Sequence, residues 1–441
     1  MKATDAEPPM MPDQQASETT GTAGSAKRSS VAWLYLTSAG LSLLGNGVAT
    51  VVWPWLVLER TGNPAAAGLV ATAIAIPSLL FAILGGQLID TVGRKPMSII
   101  SDIVSGLSVI AVIAVDAWLG LNLTWFIVIG ILGAVGDIPG MAARAALGGD
   151  ISYTSGKSMD FISGVVQSLG GLAFLVGPAA AGMLMATLPI QEVLWITAIC
   201  SLLAAAFTAL LRLQVNPDQE IEENIKGWRS WGRAWMVVLQ SPVVQLLAFV
   251  ALVSSTLIAP YLMLILPTHF QNSHNPSMLG FALSAYAVGM IAGGGVIAAV
   301  GSNKRRLIWV TSMVFFTIGF ACIAMMAHSW ILLAGMFVAG IGGGISTPLQ
   351  MVLITEQIPE NLRGRAFSVF NAIGQFAAPI GLSVATVSLT RVSIYTVAIA
   401  VAVIWTAAAV YSSLRGIMIL PDAAQYDKEN ESEASASAAH S

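Results

Sequence analysis

The sequence predicts an all-α membrane protein of twelve transmembrane helices, arranged in two pseudo-symmetric halves of six. Three observations predict it. The 441 residues are 56% hydrophobic and only 10% charged, too apolar for one or two soluble domains. Apolar stretches of about 20 residues, each enough to cross a bilayer core as a helix, recur along the chain. One long hydrophilic break, near residues 213–242, divides these stretches six and six.

Taken in order, the spans are expected at 31–58, 65–89, 98–119, 123–146, 159–186, 192–213, 243–270, 277–300, 307–327, 331–354, 366–390 and 393–413. The 42 glycines and 19 prolines are compatible with helices in this setting. Glycine lets membrane helices approach closely, and neighbouring helices tolerate proline in a span. With twelve spans, every Lys and Arg except Arg60 and Arg391 falls on one side of the bilayer, together with both termini. By the positive-inside rule that side is cytoplasmic, and an odd number of spans would scramble the asymmetry.

The organisation expected is a disordered N-terminal tail (1–30), an N-terminal six-helix domain (31–213), a linker (214–242), a C-terminal six-helix domain (243–414) and a disordered tail (415–441). Residues 1–30 lack the apolar core of a secretory signal. The linker opens acidic and turns basic and aromatic. Trp228, Trp231 and Trp235 share one helical face, flanked by Lys226, Arg229 and Arg233. That pattern fits a helix on the inner leaflet or one packed on the cytoplasmic ends of the spans. Cys200 and Cys322 sit alone inside spans and read as small hydrophobes. The four histidines lie at span ends, loops or tails, so no metal site is expected, and no phosphate-binding loop suggests a nucleotide cofactor. An enzyme is not expected, nor a nucleic-acid partner.

The densest information lies in Gly86-Gln87-Leu88-Ile89-Asp90-Thr91-Val92-Gly93-Arg94-Lys95. It sets an acid, glycines and two bases in a short hinge between the second and third spans. Charge held against hydrocarbon must be compensated, which suggests a latch or gate. A degenerate copy, Gly294 to Gly301, ends the second span of the other half, with Ala298 in place of Asp90 and Lys304-Arg305-Arg306 following. Six-helix repeats of this kind are the usual plan of transporters that alternate access.

Gly86-x-Leu88-x-Asp90-x-x-Gly93-Arg94-Lys95, lying between these two spans, resembles the loop between helices 2 and 3 of the major facilitator superfamily. Three further segments resemble its Tap-type and macrolide-efflux exporters: Pro359 to Arg365, Trp53 to Arg60, and Asp137-x-Pro139-Gly140-Met141-x-Ala143-Arg144. Gly177-Pro178 with Gly182 is similar to the glycine–proline motif of antiporters, without its adjacent glycine pair. As a plain helix contact with a kink, the same residues need no transport role. The resemblance implies a secondary active drug exporter in a bacterial inner membrane. Its gate would comprise Gly86, Asp90, Gly93, Arg94, Lys95, Arg363 and Arg365, with Asp90 facing the start of the eleventh helix. Arg94 would pair with a carboxylate, for which Asp102, Asp150 and Glu356 all qualify.

Asp137 and Arg144 stand seven residues apart on one helix face, about 10 Å along the axis, so each needs another partner. A desolvated carboxylate in a span can take up and release a proton, which makes Asp137, with Arg144, the candidate for proton coupling. Its alternative role is to neutralise a buried base or cap a kink at Pro139. Asn46 stands where relatives of this branch often carry an acid, and it cannot titrate. Polar side chains expected to face a substrate cavity are Asn46, Thr50, Trp53, Gln167, Gln350, Asn371 and Gln375. Amides and a ring without fixed charge suit bulky amphipathic compounds. The expected partners are therefore such compounds, protons and the lipid bilayer, with the chain a monomer. Export of one endogenous metabolite, such as a siderophore or lipid-linked product, is the alternative.

Overall fold

The computed structural model describes residues 14–214, 241–301, 304–326, 328–358 and 363–420, with the side chains of 14–29, 82–83, 85–86, 300, 363–369 and 371 left aside. Among the described residues are twelve helices long and apolar enough to cross a membrane. They are α1 (Gln14–Thr61), α2 (Pro64–Val92), α3 (Arg94–Trp118), α4 (Leu123–Ser155), α5 (Met159–Thr187), α6 (Ile190–Leu210), α7 (Pro242–Asn272), α8 (Pro276–Val300), α9 (Arg305–Met325), α10 (Ser329–Gln357), α11 (Arg363–Leu389) and α12 (Ile394–Ile419). Within α7, Tyr261–Ile265 form a single π-helical turn directly after Pro260.

Local sequence sets the helix ends. Asn63, Asn122, Ser158, Ser241, Asn275 and Ser393 each accept a hydrogen bond from a backbone N–H of the first turn. Such caps satisfy donors that the helix itself cannot. Proline follows immediately at α2, α7 and α8, where its missing N–H costs nothing. Gly93 and Gly301, at equivalent places in the two halves, end α2 and α8 with φ of 94° and 74°. Only glycine adopts that geometry without strain.

Two tail expectations differ from the structure. α1 starts at Gln14, so 14–30 are helical rather than disordered, and α12 continues past 415 to Ile419. Neither extension carries a proline to stop the adjoining helix. Trp228, Trp231 and Trp235 of the linker lie outside the described residues.

Within the N-terminal half α1 packs on α4, α5 and α6, α3 packs on α4 and α6, and α2 on α4; the C-terminal half repeats the plan with α9 on α10 and α12, and α8 on α10. The halves meet through α5 with α8, α2 with α11, and α1 with the end of α7. Glycine makes the first seam possible. A Cβ on Gly280 would lie 2.2 Å from the Pro178 carbonyl oxygen, and one on Gly182 2.6 Å from that of Pro276. Ser277 and Ser284 of α8 donate to the Gly182 and Leu175 carbonyls. On the second seam Gly68 of α2 meets Thr386 of α11 and Leu264 of α7. These contacts lie toward the ends of the helices remote from Arg94 and Lys95. At the opposite, basic face Asp90 is exposed.

Candidate functional site

The basic face carries two matched sets of contacts. In the first half Arg94 pairs with Asp150 of α4 at 3.3 Å, and Lys95 donates to the carbonyls of Ala209 and Leu211 at the end of α6. In the second, Arg305 holds Glu356 of α10 through both oxygens at 2.6 and 2.7 Å, and Arg306 donates to the Leu420 carbonyl at the end of α12. In each half the first base clamps the fourth helix and the second caps the sixth, whose terminal carbonyls favour a cation. Of the gate residues, then, Arg94 and Lys95 both have partners inside their own half. Asp90 makes no hydrogen bond or ion pair among the described residues, and the side chains of Arg363 and Arg365 lie outside them. Of the three acids that sequence left open for Arg94, Asp150 takes it.

Deeper in the first half lies a charge pair with a buried carboxylate. Arg144 pairs with Asp102 of α3 at 2.5 Å, and Asp102 is 3% exposed. Ser42 of α1 donates to the other Asp102 oxygen at 3.1 Å, and Tyr35 donates to the Arg144 carbonyl. Asp137 lies about two turns from Arg144 along α4 and is half-buried. So α1, α3 and α4 enclose one carboxylate and one guanidinium, with a second carboxylate, Asp137, farther along α4. Sequence reasoning missed Asp102 as the partner of Arg144. Matching depth could have found it: Asp102 lies eight residues into α3 and Arg144 eleven from the end of α4, about 12 and 16 Å from the same face.

Between the halves is a cavity in two compartments. A slot of about 320 Å³ lies between α1 and α2 on one side and α7 and α11 on the other, walled by Trp53, Thr50 and Ala71 among others. A wider compartment of about 700 Å³ is hollowed into the second half, with Tyr286, Phe316, Met290, Met351, Gln350 and Trp405 in its wall. Ala259, Met263, Gln375 and Ala378 border both. Thr50, Trp53, Gln350 and Gln375 thus line the cavity, although Thr50 donates to its own helix at Asn46 and Gln350 to Ser346. Asn46 is half-buried and Gln167 exposed, and neither lines a compartment. The side chain of Asn371 lies outside the described residues.

The sequence reading missed the aromatic cluster of Phe316, Phe320 and Trp405, whose rings lie 5.1–6.4 Å apart and of which Phe316 and Trp405 border the wider compartment. In an all-apolar helix, aromatic residues facing a cavity look like those facing lipid. Gly177 and Gly182 are contact residues: a Cβ on Gly177 would approach Gly47 of α1 at 2.9 Å, while Gly182 faces α8.

Two six-helix halves around a central cavity, with paired charges at one face, define a membrane transporter of the alternating-access class. The profile of the Major Facilitator Superfamily matches residues 35–275 and 248–438, and the chain belongs to that family. It is 30% identical over 352 residues to the multidrug efflux pump Tap of Mycolicibacterium fortuitum, an overlap covering 77% of this chain and 85% of the relative. It is 21% identical over 366 residues to macrolide efflux protein A of Streptococcus pyogenes, covering 80% and 88%. In fold it is similar to the nucleoside transporter NupG, with a TM-score of 0.68, 14% identity and 88% of this chain aligned to 98% of that one. It also resembles a bacterial homolog of the human lysosomal transporter Spinster in an inward-facing, unoccupied conformation (TM-score 0.65, 13% identity, 90% and 98% covered). The chain is therefore an efflux-type transporter and not an enzyme.

Proposed function

We propose that this transporter exports amphipathic small molecules in exchange for protons, with both termini and the basic face cytoplasmic. The observation that carries the exchange is Asp137 on α4, two turns from Arg144, whose guanidinium is already paired with Asp102, so that the span holds one more carboxylate than this pair neutralises. A proton on Asp137 brings these three groups to neutrality, and its loss leaves a net negative charge in a low-dielectric setting that favours rebinding. The Asp102–Arg144 pair, held by Ser42, stays intact and keeps the guanidinium in place through the cycle.

On this reading the structure is the inward-facing state. The halves touch at the end remote from the basic face, through α5–α8 and α2–α11, and cargo enters between the compartments from the cytoplasm. Proton release to the cytoplasm and cargo binding precede closure of the basic face, where Asp90 docks on the N-terminal turn of α11. The outer seam then opens, cargo leaves and Asp137 is reprotonated from outside.

The test is transport into inverted or reconstituted vesicles under an imposed pH gradient. Asp137→Asn abolishes pH-driven transport and leaves ligand binding in place. Undiminished pH-driven transport by that variant would sink the assignment of Asp137.

A further inference from the structure

Tyr286 of α8 faces both the central cavity and the seam between the halves. Its ring packs edge-on against Phe174 of α5, with 6.4 Å between centroids and 80° between planes, an aromatic contact across the α5–α8 seam. The same side chain stands in the wall of the wider compartment. Its hydroxyl lies beside Gly343 of α10, where a Cβ would come within 3.1 Å of it. No described residue hydrogen-bonds that hydroxyl. Unlike the Tyr261 hydroxyl and the indole nitrogens of Trp53 and Trp405, it is not sealed inside the protein, and Tyr286 is only half-buried. A donor at the wall of an apolar cavity is free for an acceptor that cargo brings.

The backbone that carries Tyr286 is fixed to the second half. A Cβ on Gly340 of α10 would lie 2.2 Å from the Tyr286 carbonyl oxygen, and one on Gly289 of α8 2.1 Å from that of Phe337. Thus α8 and α10 pack backbone to backbone. When the outer seam opens, Tyr286 stays with α10 and the compartment, while Phe174 leaves with α5. The ring then loses the edge-on neighbour that sets its tilt, and the hydroxyl loses its fixed place.

We infer that the Tyr286 hydroxyl donates the hydrogen bond that selects carbonyl-bearing cargo, and that Phe174 of the other half is its positioning residue. Cargo is held most tightly while the outer seam is closed. Opening the seam itself weakens the grip, which is the difference in affinity between states that export requires. This rests on the reading of the central cavity as the cargo site and adds the residue that discriminates within it.

The experiment uses the full chain in lipid nanodiscs, with empty nanodiscs as the partitioning control. Its two probes share one framework: benzophenone carries a carbonyl, and diphenylmethane lacks it. Benzophenone is expected to bind about fivefold more tightly, the central expectation for one net hydrogen bond. Tyr286→Phe keeps the ring and should weaken benzophenone about fivefold while leaving diphenylmethane unaffected. Phe174→Ala should also weaken benzophenone and leave diphenylmethane unaffected. Added to Tyr286→Phe it should cost nothing further, because both changes act on one hydrogen bond. The two probes on the unaltered chain keep the test decisive should a variant misfold. Equal affinity for both probes, an equal loss of both in Tyr286→Phe, or losses that add in the double variant would each overturn the inference and leave the cavity as the cargo site. No binding of either probe would overturn the inference and the cavity reading together. Binding in the expected order without flux under a pH gradient would instead overturn proton-driven export and leave the role of Tyr286 standing.

Discussion

Arg144 Nη2 lies 2.5 Å from Asp102 Oδ2, joining α4 to α3 in the interior of the N-terminal half. Both side chains are shielded, 13% and 4% exposed, so neither can find water if the other is removed. Breaking such a pair from one side costs about 3–5 kcal/mol, because it strands a buried charge. Asp102→Asn should therefore lower the thermal unfolding midpoint of the detergent-solubilised chain markedly. Adding Arg144→Gln should recover part of the loss, since the double variant strands nothing. A double variant less stable than Asp102→Asn would show that Arg144 is held chiefly by other partners.

The seam between α5 and α8 yields a conformational prediction. The atom that a Gly280 Cβ would strike is a backbone oxygen, 2.2 Å away, which cannot rotate aside. Gly280→Val should therefore force α8 away from Pro178 and disfavour the state in which the halves touch here. A shift of about 1.4 kcal/mol would change the ratio of states tenfold. Thiol labelling of Ser277→Cys, with Cys200 and Cys322 replaced by Ala, reads this directly. Labelling should be slow with Gly280 and about tenfold faster with Val, on the same arithmetic. Unchanged labelling would mean that the seam absorbs the extra atoms.

Lys95 and Arg306 make a matched pair of predictions. Lys95 Nζ lies 2.7 Å from the Leu211 carbonyl oxygen and Arg306 Nε 3.0 Å from that of Leu420. A cation at a helix C-terminus contributes about 0.3–1 kcal/mol, up to about 2 when partly buried. Lys95→Met and Arg306→Met should each destabilise by about 1 kcal/mol, and the double variant by about the sum, because the sites lie in different halves. A synergy well beyond the sum, measured by thermal unfolding, would show that the two caps are coupled through the interface.

How much of this was legible beforehand varied with the physics of each element. The twelve spans were readable because hydrocarbon imposes length and polarity together, and Asn63-Pro64 or Asn275-Pro276 mark their starts by local chemistry. The repeat was visible at Gly93 and Gly301 because both need a positive φ, yet sequence did not show that Lys95 and Arg306 perform the same capping. The partner of Arg144 was not legible, since pairing Asp102 with it depends on how α3 and α4 register, a tertiary property. The cavity was half legible: Trp53 and Gln375 fell on it, Gln167 did not, and Trp405 gave no signal inside a uniformly apolar helix. Periodicity says which residues share a face, but in a bilayer both faces are apolar, so it does not say which face is inward.

Asp90 separates a gating role from a structural one. It is exposed, and no hydrogen bond or ion pair to another described residue holds it. Asp90→Asn should accordingly leave the unfolding midpoint unchanged. The effect should appear in the conformation that closes the basic face, where the carboxylate meets the N-terminal turn of α11 and gains about 0.3–1 kcal/mol, up to about 2 if partly buried. Losing that term biases the ratio of states toward the one described here by a factor of about 2 to 30. A cysteine introduced at Ser255, in the wall of the wider compartment, should become more reactive to a membrane-impermeant thiol reagent applied from the basic face. Transport should slow in proportion, while affinity for cargo in the inward-facing state holds. A drop in the unfolding midpoint with no change in Ser255→Cys labelling would instead make Asp90 a structural residue of the α2–α3 turn.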